Sequence, residues 1–516
     1  MVHLGNSPLA RIAPIHILDD DSLLHVFHLY RPFLLGEDED ETARVYGGKE
    51  SWVRGRWWYN LAHVCQRWRN VILGSATYLG VSLVCTYGTP VADMLAHSPP
   101  LPLIIDYSDG DNGLTDDDEE GAILALKHRD RVHRVRLFMP VTGLQKLIAV
   151  MDEEYSILEY LIIEPLSEDG STILVFPETL QGPHLRHVAL ACFSPPIGSR
   201  LLTTAVGLTT LCLFNEVFIN DPSTHVNPNA LLHWLSFMSQ LETLVISFFF
   251  AVPDDEMERQ LTHTPIITPV TLPNLHLLRF CGVSAYLEAL VDRITAPRLE
   301  KLEIEFFHQF TFSVPRLLQF MSTQKDLRFE SATFWFYDER VYVEVYPRRE
   351  SETYALSINV DCWYLDWQVT SVAQIFNLLG QIFSAVEHLT FKHEEHSQSS
   401  EEHNEVDRTE WRKLLGSFRN VKTLHIGIGL VEQLSRCLES EDGELPSELL
   451  PELQELTYSR SGDAGDAFTS FIDTRQNADR AITLVRRGPS PDSVHIPSEP
   501  SSVTRTGSET GNDPDT

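Results

Sequence analysis

The sequence predicts a mixed α/β protein in which a helical unit near the amino end precedes a long series of strand–helix units, stacked with a parallel sheet inside and helices outside. Three observations predict it. A short apolar triplet at i, i+3 and i+5 returns along the middle of the chain, helix-like apolar spacing fills the stretches between copies, and a Trp-rich helical pair comes first. The chain has 516 residues, 43% of them hydrophobic. That is too much apolar material for the core of one ordinary domain, and it excludes wholesale disorder.

A short polar lead occupies residues 1–12, and the helical unit spans 13–80. In ILDDDSLLHVFHLY the residues Leu18, Leu23, Leu24, Val26, Phe27 and Tyr30 cluster as on a short amphipathic helix. Asp19 or Asp20 is placed to accept from its first free N–H groups. An insertion at 36–56, including the acidic run Glu37 to Glu41, separates it from WWYNLAHVCQRWRNVIL. There Leu61, Val64, Cys65, Trp68 and Ile72 fall at i, i+3, i+4, i+7 and i+11, which predicts one stripe on one helix.

The array is predicted over 81–487. Its triplets include Val132/Val135/Leu137, Leu158/Leu161/Ile163, Leu185/Val188/Leu190, Leu208/Leu211/Leu213, Leu241/Leu244/Ile246, Leu275/Leu278/Phe280 and Leu299/Leu302/Ile304. Val386/Leu389/Phe391, Val421/Leu424/Ile426 and Leu453/Leu456/Tyr458 also fit, while Leu327/Phe329 and Leu356/Ile358 keep only the last two members. Positions i+3 and i+5 share one face of a strand, and i lies where the chain turns into it. Segments such as AYLEALVDRI (285–294) and VAQIFNLLGQIF (372–383) carry helical spacing. One strand and one helix cannot seal a core alone, so the units must stack. The stretch 488–516, without an aromatic residue and dense in Pro, Ser, Thr and Asp, is predicted to be a disordered tail.

Residues 130–460 resemble leucine-rich repeat proteins through LETLVIS, LEKLEIE, VKTLHIG and LQELTYS. That family usually has Asn or Cys at i+8, where this chain has Leu166, Phe193, Glu216, Phe249, Val283 and Phe307, so the resemblance implies an irregular solenoid with varied loops. The helical pair resembles an F-box, whose pattern is roughly LPxExLLxIF followed by LxxVCxxWxxI. Leu18, Leu23, Leu24, Val26 and Phe27 match its first half, and Leu61, Val64, Cys65 and Trp68 its second. Asp19 stands where the family usually has Pro, and the insertion is longer than usual. The insertion and the continuation LVCTYGTPVADMLAHSPPLPLIIDY resemble F-box proteins of mushroom-forming fungi.

The resemblance implies a noncatalytic substrate receptor of a Skp–cullin–F-box ubiquitin ligase. The nine F-box positions would serve as core and docking groups for a Skp-type adaptor, itself carried on a cullin, and the repeats would hold a target protein of unknown identity. With i+3 and i+5 buried, i+2, i+4 and i+6 would form an exposed inner face. Candidate target contacts on it are Thr243, Val245, Arg279, Lys301, Glu303, Glu305, His388, Lys392 and His425. The rival reading is an interaction scaffold whose helical unit only caps the array; a hydrolase with an unrecognised site is the third.

Composition narrows the partners. Forty Lys+Arg against 73 Asp+Glu give a net charge of −33, which opposes phosphate backbones and anionic membranes. The seven cysteines are scattered without metal or disulfide spacing and read as reduced core residues of a cytoplasmic or nuclear protein. No stretch approaches the ~20 apolar residues of a membrane span. Asp109–Glu120 lacks the ligand alternation of a calcium loop and reads as a linker with helix-start acids, and His393-Glu394-Glu395-His396 lacks zinc-protease spacing. No nucleotide-binding, nucleophile-elbow or dinucleotide motif is present, so no cofactor is expected.

Overall fold

A computed structural model describes residues 18–31, 56–108, 115–166, 174–193, 198–215, 226–248, 269–307, 312–324, 327–393, 406–439, 449–459 and 467–487. The expected lead 1–12, the insertion 36–56 except Arg56, and the tail 488–516 lie outside the described residues, as do 109–114 of the acidic stretch, 394–396 of the His-Glu run, and Glu216 and Phe249.

The strands are β1 (Leu83–Cys85), β2 (Leu103–Tyr107), β3 (Val132–Met139), β4 (Tyr160–Pro165), β5 (His187–Ala191), β6 (Thr210–Asn215), β7 (Thr243–Phe248), β8 (Val270–Thr271) and β9 (Leu277–Gly282). They continue as β10 (Ile294–Thr295), β11 (Lys301–Phe307), β12 (Ser331–Phe336), β13 (Arg340–Tyr346), β14 (Leu356–Asp361), β15 (His388–His393), β16 (Thr423–Ile426), β17 (Glu455–Ser459) and β18 (Thr483–Arg487). Sixteen form one open sheet in the order β1-β2-β3-β4-β5-β6-β7-β9-β11-β14-β13-β12-β15-β16-β17-β18, while β8 and β10 pair separately. The protein is a mixed α/β fold built on a large, mostly parallel sheet.

The triplets explain the sheet. The N–H of Leu208 donates to Ala205 O at 3.2 Å, closing a turn, and Leu211 and Leu213 follow on β6. The same turn precedes Leu241 (Met238 O, 3.1 Å), Leu299 (Ala296 O, 3.2 Å) and Leu453 (Leu450 O, 3.1 Å). Every full triplet is buried. Stacked copies lie in step: Val188 opposes Leu211, Leu211 opposes Leu244, Leu244 opposes Leu278, and Leu278 opposes Leu302. Leucine over leucine at the spacing of adjacent strands makes continuous apolar ridges, and helices such as Pro228–Leu235, Leu365–Leu378 and Val431–Leu438 bury their own apolar faces in the same core.

Two expectations are corrected. The sheet is not parallel throughout, because β13 runs antiparallel between β14 and β12. Leu356/Ile358 takes the expected place beside Leu302/Ile304, but Leu327/Phe329 precedes β12, and the residues opposite Leu389/Phe391 are Ala332/Phe334. The physical reason lies in the sequence TFWFYDERVYVEV. Its two alternating runs form a hairpin, in which the N–H of Tyr337 donates to Arg340 O at 2.9 Å, and the added strand displaces the repeat register.

The second correction concerns the helical unit. Its elements are α1 (Asp20–Tyr30), α2 (Trp57–Ala62), α3 (Gln66–Gly74) and α4 (Ala76–Leu79). The expected single helix is broken at His63–Cys65, where Cys65 is extended (φ −161°, ψ 167°). Leu61 and Trp68 therefore sit on different helices, and Val64, in the turn, is exposed. Helix α4 stops at Gly80, whose φ of +62° would strain a residue with a side chain and whose added Cβ would meet the Arg31 guanidinium at 3.2 Å. Trp58 Nε1 donates to Ser82 O at 3.0 Å and seats the unit next to β1. One apolar core thus runs from Leu23 and Phe27 through the sheet to Phe471.

Candidate functional site

Helix α1 starts where its acids predict. Asp19, and not Asp20, is the cap: its carboxylate accepts from the Ser22 N–H at 2.6 Å, which holds its pKa below the usual range. Asp20 instead pairs with Arg67 at 2.8 Å, and Arg67 Nη2 also donates to Leu18 O at 2.5 Å, tying α3 to the start of α1. The Phe27 ring meets Trp68 edge-on, centroids 4.9 Å apart.

These ties divide the nine positions that carry the F-box resemblance. Leu23 and Phe27 are fully buried and belong to the chain's own core; Leu24, Leu61, Cys65 and Trp68 are half-buried; Leu18, Val26 and Val64 are exposed. On α1 the uncovered apolar side extends further, to Leu29 (71% exposed) and Tyr30 (58%). Leu29 stands three residues beyond Val26, the spacing of one helix face. Since Leu23 and Phe27 anchor the helix, they are not available for docking.

The inner face of the sheet is only partly the exposed surface expected. Val245 is fully buried, packed with Ile162, Ala189, Cys212 and Phe214 in a second apolar cluster, and Glu303 is also buried. The reason is lateral: strands stand ~4.8 Å apart, so identical positions on neighbouring strands cover one another. Thr243, Arg279, Lys301, Glu305, His388, Lys392 and His425 remain partly accessible. Among the described residues a closed apolar strip therefore crosses this face from β4 to β7, and charged and polar residues take its place from β9 onward.

Across that polar part the structure brings predicted and unpredicted residues together. Arg279 and Glu303 are bonded directly; Lys301 Nζ stands 3.1 Å from Glu303, and Tyr354 donates to it at 2.8 Å. Burial alone would raise the Glu303 pKa, but Arg279, Lys301 and Tyr354 outweigh it and lower it. Glu305 has the opposite fate: burial, then the charge of Asp361, pushes it up to about 7. Lys392 Nζ lies 3.7 Å above the Trp335 ring, and His388 Nδ1 is 2.7 Å from Thr423 Oγ1. Tyr354, Trp335 and Asn359 were not candidates from sequence, because the hairpin that brings the face together was hidden by the triplet pattern; the alternation in VYVEVY was its available signal.

The acids of the 109–120 stretch that are described do start a helix. Thr115 caps it, accepting from the Asp118 N–H at 3.1 Å, and Asp118 accepts from the Gly88 N–H at 2.7 Å. None of the seven cysteines forms a disulfide; six are buried and Cys65 is half-buried. Among the described residues no three His, Cys, Asp or Glu side chains group to hold a metal, and no helix is long and apolar enough to cross a membrane. No protein-family model matches the chain, and no curated protein matches it.

Proposed function

We propose that the chain is the substrate-recognition subunit of a Skp–cullin–F-box ubiquitin ligase: an F-box-like unit on α1 to α4 that docks on a Skp-type adaptor, and a leucine-rich-repeat-like array whose inner face holds a target protein. The observation that carries the reading is the split of α1, with Leu23 and Phe27 anchored inside while Val26, Leu29 and Tyr30 stay uncovered. Exposed apolar side chains on one helix, rimmed by polar residues, are what a helical partner covers. The sequence pattern LLHVF followed by LAHVCQRW supports the same reading. Ubiquitin transfer would occur on partner subunits and requires no nucleophile here.

The test is capture of a Skp-type adaptor by the purified chain. Wild type is expected to retain the adaptor, and Val26→Asp with Leu29→Asp to lose it with unchanged thermal stability. Failure of the wild-type chain to bind any adaptor overturns the reading. One observation favours the scaffold alternative: the bond from Trp58 to Ser82 O and the continuous core make the helical unit a cap on the sheet edge. Under that alternative the double variant leaves the chain's interactions unaltered.

A further inference from the structure

The inner face carries an acidic, aromatic corner that the adaptor reading does not use. Glu305 and Asn359 are opposite each other on β11 and β14, and Asp361 follows two residues along on the same face of β14. Asn359 is buried, and among the described residues no group donates to its Oδ1. An acceptor buried in that way costs about 1–3 kcal/mol unless a donor reaches it. Just beyond the strand end stand Trp363, 60% exposed, and Trp367, 39% exposed, the exposed tryptophans among the described residues. The hairpin turn bearing Asp338 and Glu339 lies against this loop, since the Cys362 N–H donates to Glu339 O at 3.0 Å. Arg340 stands opposite Asp361. Arg279 is committed to Glu303.

Carboxylates and a lone amide acceptor brought together on β11 and β14, with two exposed tryptophans in the six residues that follow β14, suit one kind of group. A planar cation can give paired N–H donors to such acceptors and lie against indole rings. We infer that this corner is a recognition site for an arginine side chain on a segment of a partner protein. The excess of Asp361, Asp338 and Glu339 over Arg340 supplies the charge complementarity. Guanidinium is favoured over ammonium by its flat shape and forked donors. The inference rests on the proposed reading of the array as a target-binding surface and names the chemistry of what it holds.

The experiment is titration of the full chain with fluorescently labelled hexa-arginine, hexa-lysine and hexa-glutamate peptides at ~0.15 M salt, where long-range attraction is largely screened. Hexa-arginine is expected to bind at least tenfold more tightly than hexa-lysine, and hexa-glutamate not at all. Trp363→Ala with Trp367→Ala is expected to weaken hexa-arginine at least tenfold at unchanged thermal midpoint, and Glu305→Gln to weaken it at least tenfold with the circular dichroism of the folded chain retained. Glu432→Gln, a highly exposed acid far along the chain, serves as the charge control and is expected to change nothing. Equal binding by wild type and the site variants, or equal loss in the control, overturns the inference. Adaptor capture is read separately, so loss of one result leaves the other intact.

Discussion

Helix α1 and the array helix Pro228–Leu235 are both rich in apolar residues and meet opposite fates. Pro228–Leu235 buries Ala230, Leu231, Leu232, Trp234 and Leu235. Helix α1 buries Leu23 and Phe27 and leaves Val26, Leu29 and Tyr30 in solvent. Their positions in the series account for it. The array helix has the sheet beneath it and the neighbouring helix Ser284–Val291 beside it, whereas α1 belongs to the unit at the β1 edge and packs chiefly on α3. A unit inside a stack is covered on both flanks and an end unit on one. Among the described residues the surplus on α1 is thus exposed surface, and the surplus inside the array is core.

The sharpest break of that comparison is truncation. Trp234→Ala and Phe27→Ala are each expected to cost about 3–5 kcal/mol, while Leu29→Ala stays within ~0.5 kcal/mol. Denaturant titration monitored by circular dichroism measures all three. If Leu29→Ala costs as much as Phe27→Ala, the outer side of α1 is core and the distinction between the helices fails.

The next effect contrasts buried and exposed charge. Glu303→Gln leaves Arg279 and Lys301 without their shared counter-charge, at a cost of about 2–3 kcal/mol. Arg436→Ala, which breaks the solvent-exposed pair with Glu432, should cost no more than ~0.5 kcal/mol. Thermal melting of both variants gives the order, and its reversal would mean that the Arg279–Glu303 pair is not held as described.

Smaller effects come from two buried groups that titrate in opposite senses. Glu305, raised from 4.5 to about 7 by burial and Asp361, with Arg340, Cys281 and Arg279 also facing it, binds its proton more tightly in the folded chain. Its contribution to stability is therefore full below pH 4.5 and is lost as pH rises toward 7. His187, lowered from 6.5 to about 4 by burial and by Arg134, contributes stability above pH 6.5 that is lost as pH falls toward 4. Melting temperatures across pH 4 to 8 check both: Glu305→Gln should flatten the alkaline decline and His187→Asn the acid one. A wild-type decline that survives both substitutions rejects these assignments.

Much of the array was legible because its signal is local and repeated. Leu208, Leu211 and Leu213 announce a turn and a strand within six residues, and every neighbouring copy repeats the message. The hairpin of β12 and β13 was obscured because Leu327/Phe329 imitates a triplet, although it stops short of the strand. The break at His63–Cys65 was invisible to periodicity, since the apolar spacing runs through it unchanged. On the inner face, alternation shows which side of a strand a residue faces and is silent on how deep it lies. Val245 and Lys301 share that face, one sealed and the other partly open.

The sequence by itself determined the strands that carry full triplets, the side of the sheet that faces the helices, and Asp19 or Asp20 as the cap of the first helix, because each depends on residues a few places apart. Tertiary structure alone decided that Leu23 and Phe27 are anchors while Val26 and Leu29 are surface, that Glu303 is satisfied while Asn359 Oδ1 is not, and that Cys362 is bonded to the hairpin turn. Those outcomes depend on which distant segment arrives beside a side chain, and only the packed chain brings the segments together.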